Sequence, residues 1–170
     1  MKKIILFFVL CVMTINVCFA NDERSDACNK FHFNVDLGFS PNVHYGFLDD
    51  EPLYEFSGSI YTGYQFNKCI NAGVGIGYKY EYISSDCNSY GVPIFMFVKY
   101  DYMIDKKSPY VITKFGYTVG DTKGVFVEPG FGMRFNHVNV GISYTEQFYK
   151  MFENKRYNYG HFNVNIGLTF

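Results

Sequence analysis

The sequence predicts an all-β protein, an eight-stranded antiparallel up-and-down β-barrel that crosses a membrane. Aromatic residues make up 21% of the 170 residues, with 19 Phe, 16 Tyr and no Trp, and they are accompanied by 16 Gly. This composition favours strands over helices. Apolar and polar residues also alternate with a period of two, in segments close to the roughly 9–11 residues that a tilted strand needs to cross a bilayer.

The chain begins with the pattern of a cleaved secretory signal peptide at residues 1–20. Two lysines precede an apolar run from Ile4 to Val17, and Ala20 supplies a small residue at the expected cleavage position. The run is too short for a membrane-spanning helix. Lipidation of Cys18 is an alternative that the residues before it disfavour, because they are not the small residues of a lipobox.

Residues 70–82, with the sequence INAGVGIGYKYEY, show the alternation most clearly. Every even position is apolar or aromatic, and every odd position is Asn, Gly, Lys or Glu. The final segment GHFNVNIGLTF repeats the pattern. No 3.6-residue stripe fits either segment, so both are predicted strands. The same pattern predicts eight strands in all, at residues 31–39, 55–66, 70–82, 90–102, 110–119, 125–136, 138–148 and 157–170.

The connections between these strands alternate in length. Residues 67–69 and 136–137 are tight turns, and residues 103–109 form a moderate one. The other set is generally longer, and residues 40–54 form its longest member. Short turns at one end and loops at the other end predict an up-and-down barrel.

The glycines indicate which face of the sheet points inward. Glycine is unfavourable on an open strand surface, whereas in a narrow lumen it makes room for long charged neighbours. The apolar face is too bulky for such a lumen, and its tyrosines cluster near strand ends, as in an interfacial girdle. We therefore expect the aromatic face to contact lipid and the sheet to close; the alternative is a soluble barrel with the opposite arrangement. The polar face carries Gly63, Gly73, Gly75, Gly77, Gly91, Gly116, Gly130, Gly132, Gly141 and Gly167.

These features resemble the small outer-membrane β-barrel proteins of Gram-negative bacteria, OmpA/OmpX-like or opacity-protein-like barrels of the porin superfamily. The resemblance is carried by YGVPIFMFVKYDY, by PYVITKFGYTVG with VFVEPGFGMRF, and by the terminal NVNIGLTF. It implies location in the outer membrane, a periplasmic segment at 21–30 and a barrel domain at 31–170. It also implies contact with outer-membrane lipid, and insertion by the barrel-assembly machinery with Phe170 as the final aromatic of the assembly signal.

Charged residues on the inward face are predicted to form an interior polar network of Lys114, Glu128, Ser143 and His161. Counting residues across the connecting loops places Lys114 opposite Glu128, and His161 opposite Ser143 or Thr145. Ser143, His161 and Glu128 have the residue types of a hydrolase triad. We interpret them as lumen-filling groups instead, because an eight-stranded barrel is packed with side chains and its buried charges need partners.

The sequence predicts no metal site, no cofactor and no nucleic-acid partner. His32, His44 and His137 lack the spacing of metal ligands, and the GVGIG run lies within a strand with no helix after it. Lys and Arg number 15 against 16 Asp and Glu, which excludes a strongly basic nucleic-acid binder.

The expected function is that of a non-enzymatic barrel, structural or surface-binding through its extracellular loops, above all residues 40–54. The simpler alternative for this loop is a solvated acidic segment. A lipid-A-modifying barrel enzyme is a second hypothesis, which would need His44 or His161 beside a serine and a carboxylate on the lipid face. A narrow passive diffusion channel is a third, and no external ligand or host target is predicted. The candidate binding residues are His44, Tyr45, Phe47, Asp49, Asp50 and Glu51.

Three cysteines remain after cleavage of the signal peptide. Cys28 precedes the first strand and Cys69 lies in a tight turn, both on the periplasmic side, whereas Cys87 lies beyond a hydrocarbon layer about 25 Å tall. A disulfide requires Cα atoms within about 7 Å of each other. Cys28 with Cys69 is therefore the predicted candidate bridge, and the alternative is that all three thiols are free.

Overall fold

The computed structural model describes residues 31–41, 44–45, 54–67, 69–84, 87–102, 107–150 and 156–170. No helix in this part of the chain is long and apolar enough to span a membrane. The predicted signal peptide and the segment 21–30 lie outside the described residues. The strands are β1 Phe31–Pro41, β2 His44–Tyr45, β3 Tyr54–Gln65, β4 Ile70–Ser84, β5 Cys87–Asp101, β6 Lys107–Gly120, β7 Gly124–Phe135, β8 Val138–Lys150 and β9 Arg156–Thr169.

The eight long strands form one closed antiparallel barrel, as the sequence predicts. Each pairs with its neighbour in the chain, in the order β1-β3-β4-β5-β6-β7-β8-β9. β1 closes the sheet on β9 from the pair Asn34–Thr169 to the pair Phe39–Val164. The two-residue β2 continues along β9 at Gly160 and Tyr159. Closure pairs the two strands that would otherwise be sheet edges.

Two of the predicted loops are shorter in the structure. The loop expected at 83–89 shrinks because β4 extends to Ser84 and β5 begins at Cys87, and these two residues pair with each other. The loop expected at 40–54 contains β2, whose hydrogen-bonding partner β9 is distant in sequence. Local alternation cannot reveal a strand that is defined by a distant partner.

The tight turns have the expected local chemistry. Asn67 Oδ1 accepts hydrogen bonds from the backbone N of Cys69 at 2.9 Å and of Ile70 at 2.7 Å, which forms an Asx turn before β4. Asn136 has a φ of 54° in the β7–β8 turn. Asparagine tolerates this left-handed conformation better than most residues do.

The apolar face points outward and the charged face points inward, as predicted. The outward Phe162 and Phe131 are 69% and 60% exposed, whereas Glu55 and Glu81 are each 1% exposed. In water this arrangement would be unstable, because it exposes large apolar side chains and buries charges. It suits a barrel that is surrounded by lipid.

The lumen also contains aromatic side chains besides the polar groups predicted for it. The predicted role of the glycines is only partly right: a Cβ at Gly75 would lie 2.5 Å from the Phe95 ring and 2.5 Å from Tyr61 Cβ, so this glycine makes room for aromatic residues. Gly167 does face a charged neighbour, the carboxylate of Asp36. The buried apolar cluster consists of Tyr61, Phe95, Phe97, Tyr110, Ile112 and Phe126.

Candidate functional site

The centre of the lumen is organised around Lys114. Its Nζ lies 3.3 Å from Glu128 Oε1, and the two residues are opposite each other in the β6–β7 register, where the residue count places them. The same Nζ lies 3.7 Å from Asp36 Oδ2 on β1, the strand on the far side of the barrel. Tyr61 donates a 2.8 Å hydrogen bond to Asp36 Oδ2. One cation therefore serves two carboxylates.

Hydroxyl groups of β8 also donate hydrogen bonds to Glu128. Ser143 Oγ donates to Glu128 Oε1 at 3.0 Å, and Thr145 Oγ1 donates to Oε2 at 3.3 Å. Asn165 in turn donates to Ser143 Oγ at 2.8 Å. Glu128 is thus held by several donors, as a buried carboxylate requires.

His161 belongs to a different cluster from Ser143. In the register His161 is opposite Thr145, the second of the two predicted positions, and Ser143 is opposite Asn163. His161 Nε2 lies 3.2 Å from Glu55 Oε2, so its carboxylate partner is Glu55 and not Glu128. This arrangement does not assemble the Ser143, His161 and Glu128 groups into a hydrolase triad, which requires the histidine to contact the serine.

A second cluster occupies the lumen nearer the loop end of the barrel. Glu55 Oε1 lies 3.4 Å from Lys79 Nζ, and the ring of His161 stacks on Tyr159 with a centroid distance of 5.3 Å. The hydroxyl of Tyr159 donates a 2.8 Å hydrogen bond to Glu81 on the other side of the lumen. The Glu55–His161 and Glu81–Tyr159 contacts join strands that are not neighbours in the sheet, so a residue count along adjacent strands could not find them.

A third cluster lies near the turn end. Asp101 accepts from Arg134 Nη1 at 3.4 Å, and Lys99 Nζ lies 3.9 Å from the same carboxylate. Lys99 also donates to Asn139 Oδ1 across the lumen at 3.4 Å and lies 4.4 Å from the centroid of the Tyr110 ring. The charges of the three clusters therefore have partners within the barrel.

Little space remains between the clusters. One cavity of about 30 Å³ touches Lys79, Lys114 and Glu128, and another of about 10 Å³ touches Lys99 and Tyr110. A water molecule needs roughly 10–15 Å³ on this measure. The cavities have room for isolated waters and not for a lipid or peptide substrate.

The outward wall carries one polar pair near the loop end. Tyr144 donates a 2.9 Å hydrogen bond to Glu146 Oε2, and both side chains lie on the outward face of β8. Gly160 of β9 is opposite Glu146, and on its other side pairs with the backbone of His44. Across the described residues, no group of three or more His, Cys, Asp or Glu side chains could hold a metal ion.

The structure gives partial information on the loop predicted to bind a ligand. The backbones of His44 and Tyr45 pair with β9, as described above. Phe47, Asp49, Asp50 and Glu51 lie outside the described residues. The binding role of this loop stays a prediction.

The disulfide predicted between Cys28 and Cys69 involves a residue that the structure does not describe. Cys28 lies outside the described residues, so its bridge to Cys69 stays a prediction.

The backbone of Phe170 exchanges hydrogen bonds of 2.8 and 3.1 Å with Phe33, and its ring is 66% exposed on the outward face. Phe170 thus extends the pairing that closes the barrel.

Comparison with known proteins shows the fold. No protein-family model matches the chain, and no curated protein matches its sequence. The solved structure of Neisserial surface protein A covers 82% of this chain and 97% of its own, with a TM-score of 0.60 and 14% identity. The outer membrane enzyme PagL covers 79% of this chain and 98% of its own, with a TM-score of 0.58 and 10% identity. The chain therefore has the fold of the small eight-stranded outer-membrane barrels.

Proposed function

We propose that this chain is a non-enzymatic outer-membrane barrel with a side-chain-filled lumen, which acts in envelope structure or in surface binding through its loop end. The observation that carries the proposal is the set of contacts across the lumen. Lys114 with Asp36, and Glu55 with His161, join strands that are not neighbours in the sheet. A lumen closed in this way leaves the outer wall and the loops as the surfaces available for function.

Location in the outer membrane is supported by the apolar outward wall and by the long strands. Its test is fractionation of cells that express the full chain, followed by electrophoresis of heated and unheated samples. We expect recovery with outer membranes and a heat-dependent change of mobility, because a closed barrel resists detergent unfolding. Recovery from the soluble periplasm without detergent would contradict the proposal.

We assign surface binding to residues 40–54, whose sequence combines aromatic and acidic residues. Cross-linking of intact cells, followed by purification of the barrel, tests this role. A triple change of Asp49, Asp50 and Glu51 to their amides should remove an external component that the unchanged protein retains. Asp121→Asn, in the β6–β7 turn at the same end, is the matched control. Equal retention by both variants would leave this loop without a binding role.

A filled lumen also predicts very low conductance. In planar bilayers we expect no sustained ion current from the purified barrel, because the clusters must separate before ions can pass. A steady open-channel current would support the diffusion-channel alternative instead.

An enzyme at the outer wall is the second candidate function. Glu146 and Tyr144 favour it because they place a carboxylate and a hydroxyl on the lipid-facing side, beside the backbone of His44. The serine that the hypothesis requires is missing from the outward positions of β8 and β9 in the described residues. Mass spectrometry of lipid A with and without the protein tests it, and a mass change that Glu146→Gln abolishes would establish the enzyme.

A further inference from the structure

A lysine amine and an asparagine amide meet across the lumen in the third cluster. Lys99 Nζ, on β5, lies 3.4 Å from Asn139 Oδ1, on β8, and β6 and β7 separate these two strands in the sheet. The two residues are only 3% and 4% exposed. The barrel therefore holds an amine against an amide in a place that bulk water does not reach.

Hydrogen bonds hold both ends of the Asn139 amide. Asn139 Nδ2 donates a 2.7 Å hydrogen bond to Thr169 Oγ1, and this hydroxyl donates onward to Asn34 Oδ1 at 2.7 Å. Asn139 Oδ1 accepts from Lys99 at the other end. Because Cγ is bonded to Oδ1, the amine lies beside the carbon atom that a nucleophile attacks. Such a fixed approach lowers the entropic cost of a reaction between the two groups.

Asp101 offers an acceptor for the proton that the amine must lose. Its Oδ2 accepts a hydrogen bond from Arg134 Nη1 at 3.4 Å, which orients the carboxylate. Its Oδ1 lies 3.9 Å from Lys99 Nζ, and this buried oxygen has no hydrogen-bond partner among the described residues. A movement of about 1 Å brings Oδ1 and Nζ to hydrogen-bond distance, and catalytic hydrogen bonds commonly tighten in this way on reaction.

The surroundings leave room for one small leaving group. The ring of Tyr110 covers Lys99 Nζ at a centroid distance of 4.4 Å. A cavity of about 10 Å³ touches Lys99, Tyr110 and Asn139. Ammonia is close in size to water, which needs roughly 10–15 Å³ on this measure. The space beside the amide therefore suits a single departing ammonia.

We propose that Lys99 and Asn139 form an intramolecular isopeptide bond. Asp101 accepts a proton from the Lys99 ammonium, and the resulting amine attacks Asn139 Cγ. The Nζ–Cγ bond forms and the Cγ–Nδ2 bond breaks. Asp101 passes the two protons that Nζ loses to Nδ2, which leaves as an ammonium ion. Charge and atoms balance without an oxidant or a cofactor, because one ammonium and one amide yield one amide and one ammonium.

The bond joins residues that are 40 positions apart in the chain. It links β5 to β8 across the lumen and persists when the barrel unfolds. A covalent link of this kind restricts the unfolded chain and so favours the folded barrel. The inference goes beyond the proposed function and does not depend on any role for the loops.

Mass spectrometry of the full chain, purified from outer membranes and reduced, tests the bond. We expect the mature protein to be lighter than its sequence by one ammonia, and proteolysis to release a branched peptide that joins Lys99 to Asn139. Lys99→Arg keeps a cation beside Asp101 but supplies no primary amine, so it should have the full mass of its sequence. Asp101→Asn removes the proton acceptor and should lose the bond in most molecules.

Asn163→Ser is the matched control. It changes another inward asparagine, whose Nδ2 donates to Thr145, and it should keep the ammonia loss. A heat-dependent change of mobility shows which variants have folded before their masses are compared, and the branched peptide decides the question where a variant fails to fold.

A folded, unchanged protein with the full mass of its sequence overturns the inference. An ammonia loss that persists in folded Lys99→Arg also overturns it, because the ammonia then comes from another residue. If the unchanged protein yields no folded barrel in outer membranes, the proposed membrane barrel is contradicted instead.

Discussion

Removing the Lys114 side-chain charge should destabilise the barrel more than removing that of Glu128. Lys114 lies between Asp36 and Glu128, so Lys114→Met leaves two carboxylates without their shared cation. Glu128→Leu leaves Lys114 still paired with Asp36. A simple two-residue pair would give similar effects for both changes and a milder effect for the double replacement. The presence of Asp36 makes the two single changes unequal.

The expected loss of unfolding free energy follows from the groups that each substitution leaves unpaired. Lys114→Met breaks a buried ion pair, which costs about 3–5 kcal/mol of unfolding free energy. Glu128→Leu removes the acceptor of the Ser143 and Thr145 hydroxyls, at about 1–3 kcal/mol. The double variant still leaves Asp36 with only its hydrogen bond from Tyr61. We therefore expect a coupling energy of about 0.5–3 kcal/mol between the two sites.

The assay is reversible urea unfolding in detergent or in vesicles, followed by far-UV circular dichroism because the chain contains no Trp. Glu128→Gln is the matched control, since its amide oxygen can still accept from Ser143 and Thr145. It should cost less than Glu128→Leu. A Glu128→Leu variant at least as unstable as Lys114→Met, or a coupling energy of zero, would refute the shared-cation arrangement.

Three other predictions test separate parts of the molecule. Gly75→Ala should destabilise the barrel by about 1–3 kcal/mol, because the added methyl group overpacks against interior aromatic residues. Gly58→Ala is the control and should be tolerated, because its Cβ would make only a 3.6 Å contact. Comparable unfolding curves for the two variants would argue against this packing. Deletion of Phe170 should lower the amount of inserted barrel, measured by surface labelling and heat-modifiability, and unchanged levels would contradict its role in assembly. Peptide mapping of non-reduced protein should find no linkage of Cys87 to Cys28 or Cys69 within one chain, and such a linkage would contradict the strand order.

The alternation of the sequence was sufficient to predict the eight long strands and the closed barrel, because a period of two is a local property of each strand. The outward aromatic face was predicted from the glycines and from the bulk of the apolar face. The residue count also placed Lys114 opposite Glu128, since those residues lie on strands joined by a short turn. It could not identify Glu55 as the partner of His161, because β1 lies between their strands. Contacts across a lumen depend on barrel diameter and strand tilt, which no short segment of sequence encodes.

The contacts across the lumen also bear on whether solutes can pass through the barrel. A path through the lumen requires separation of the Lys114–Asp36, Glu55–His161 and Glu81–Tyr159 contacts, which lie on different pairs of strands. Breaking the Glu81–Tyr159 hydrogen bond alone costs about 1.5–3 kcal/mol, and separation of the two charged contacts adds to this cost. Because each 1.4 kcal/mol is a factor of ten, this hydrogen bond alone restricts the open form to about a tenth of the molecules or fewer. We therefore expect little flux through the lumen, which agrees with the proposed role of the wall and the loops.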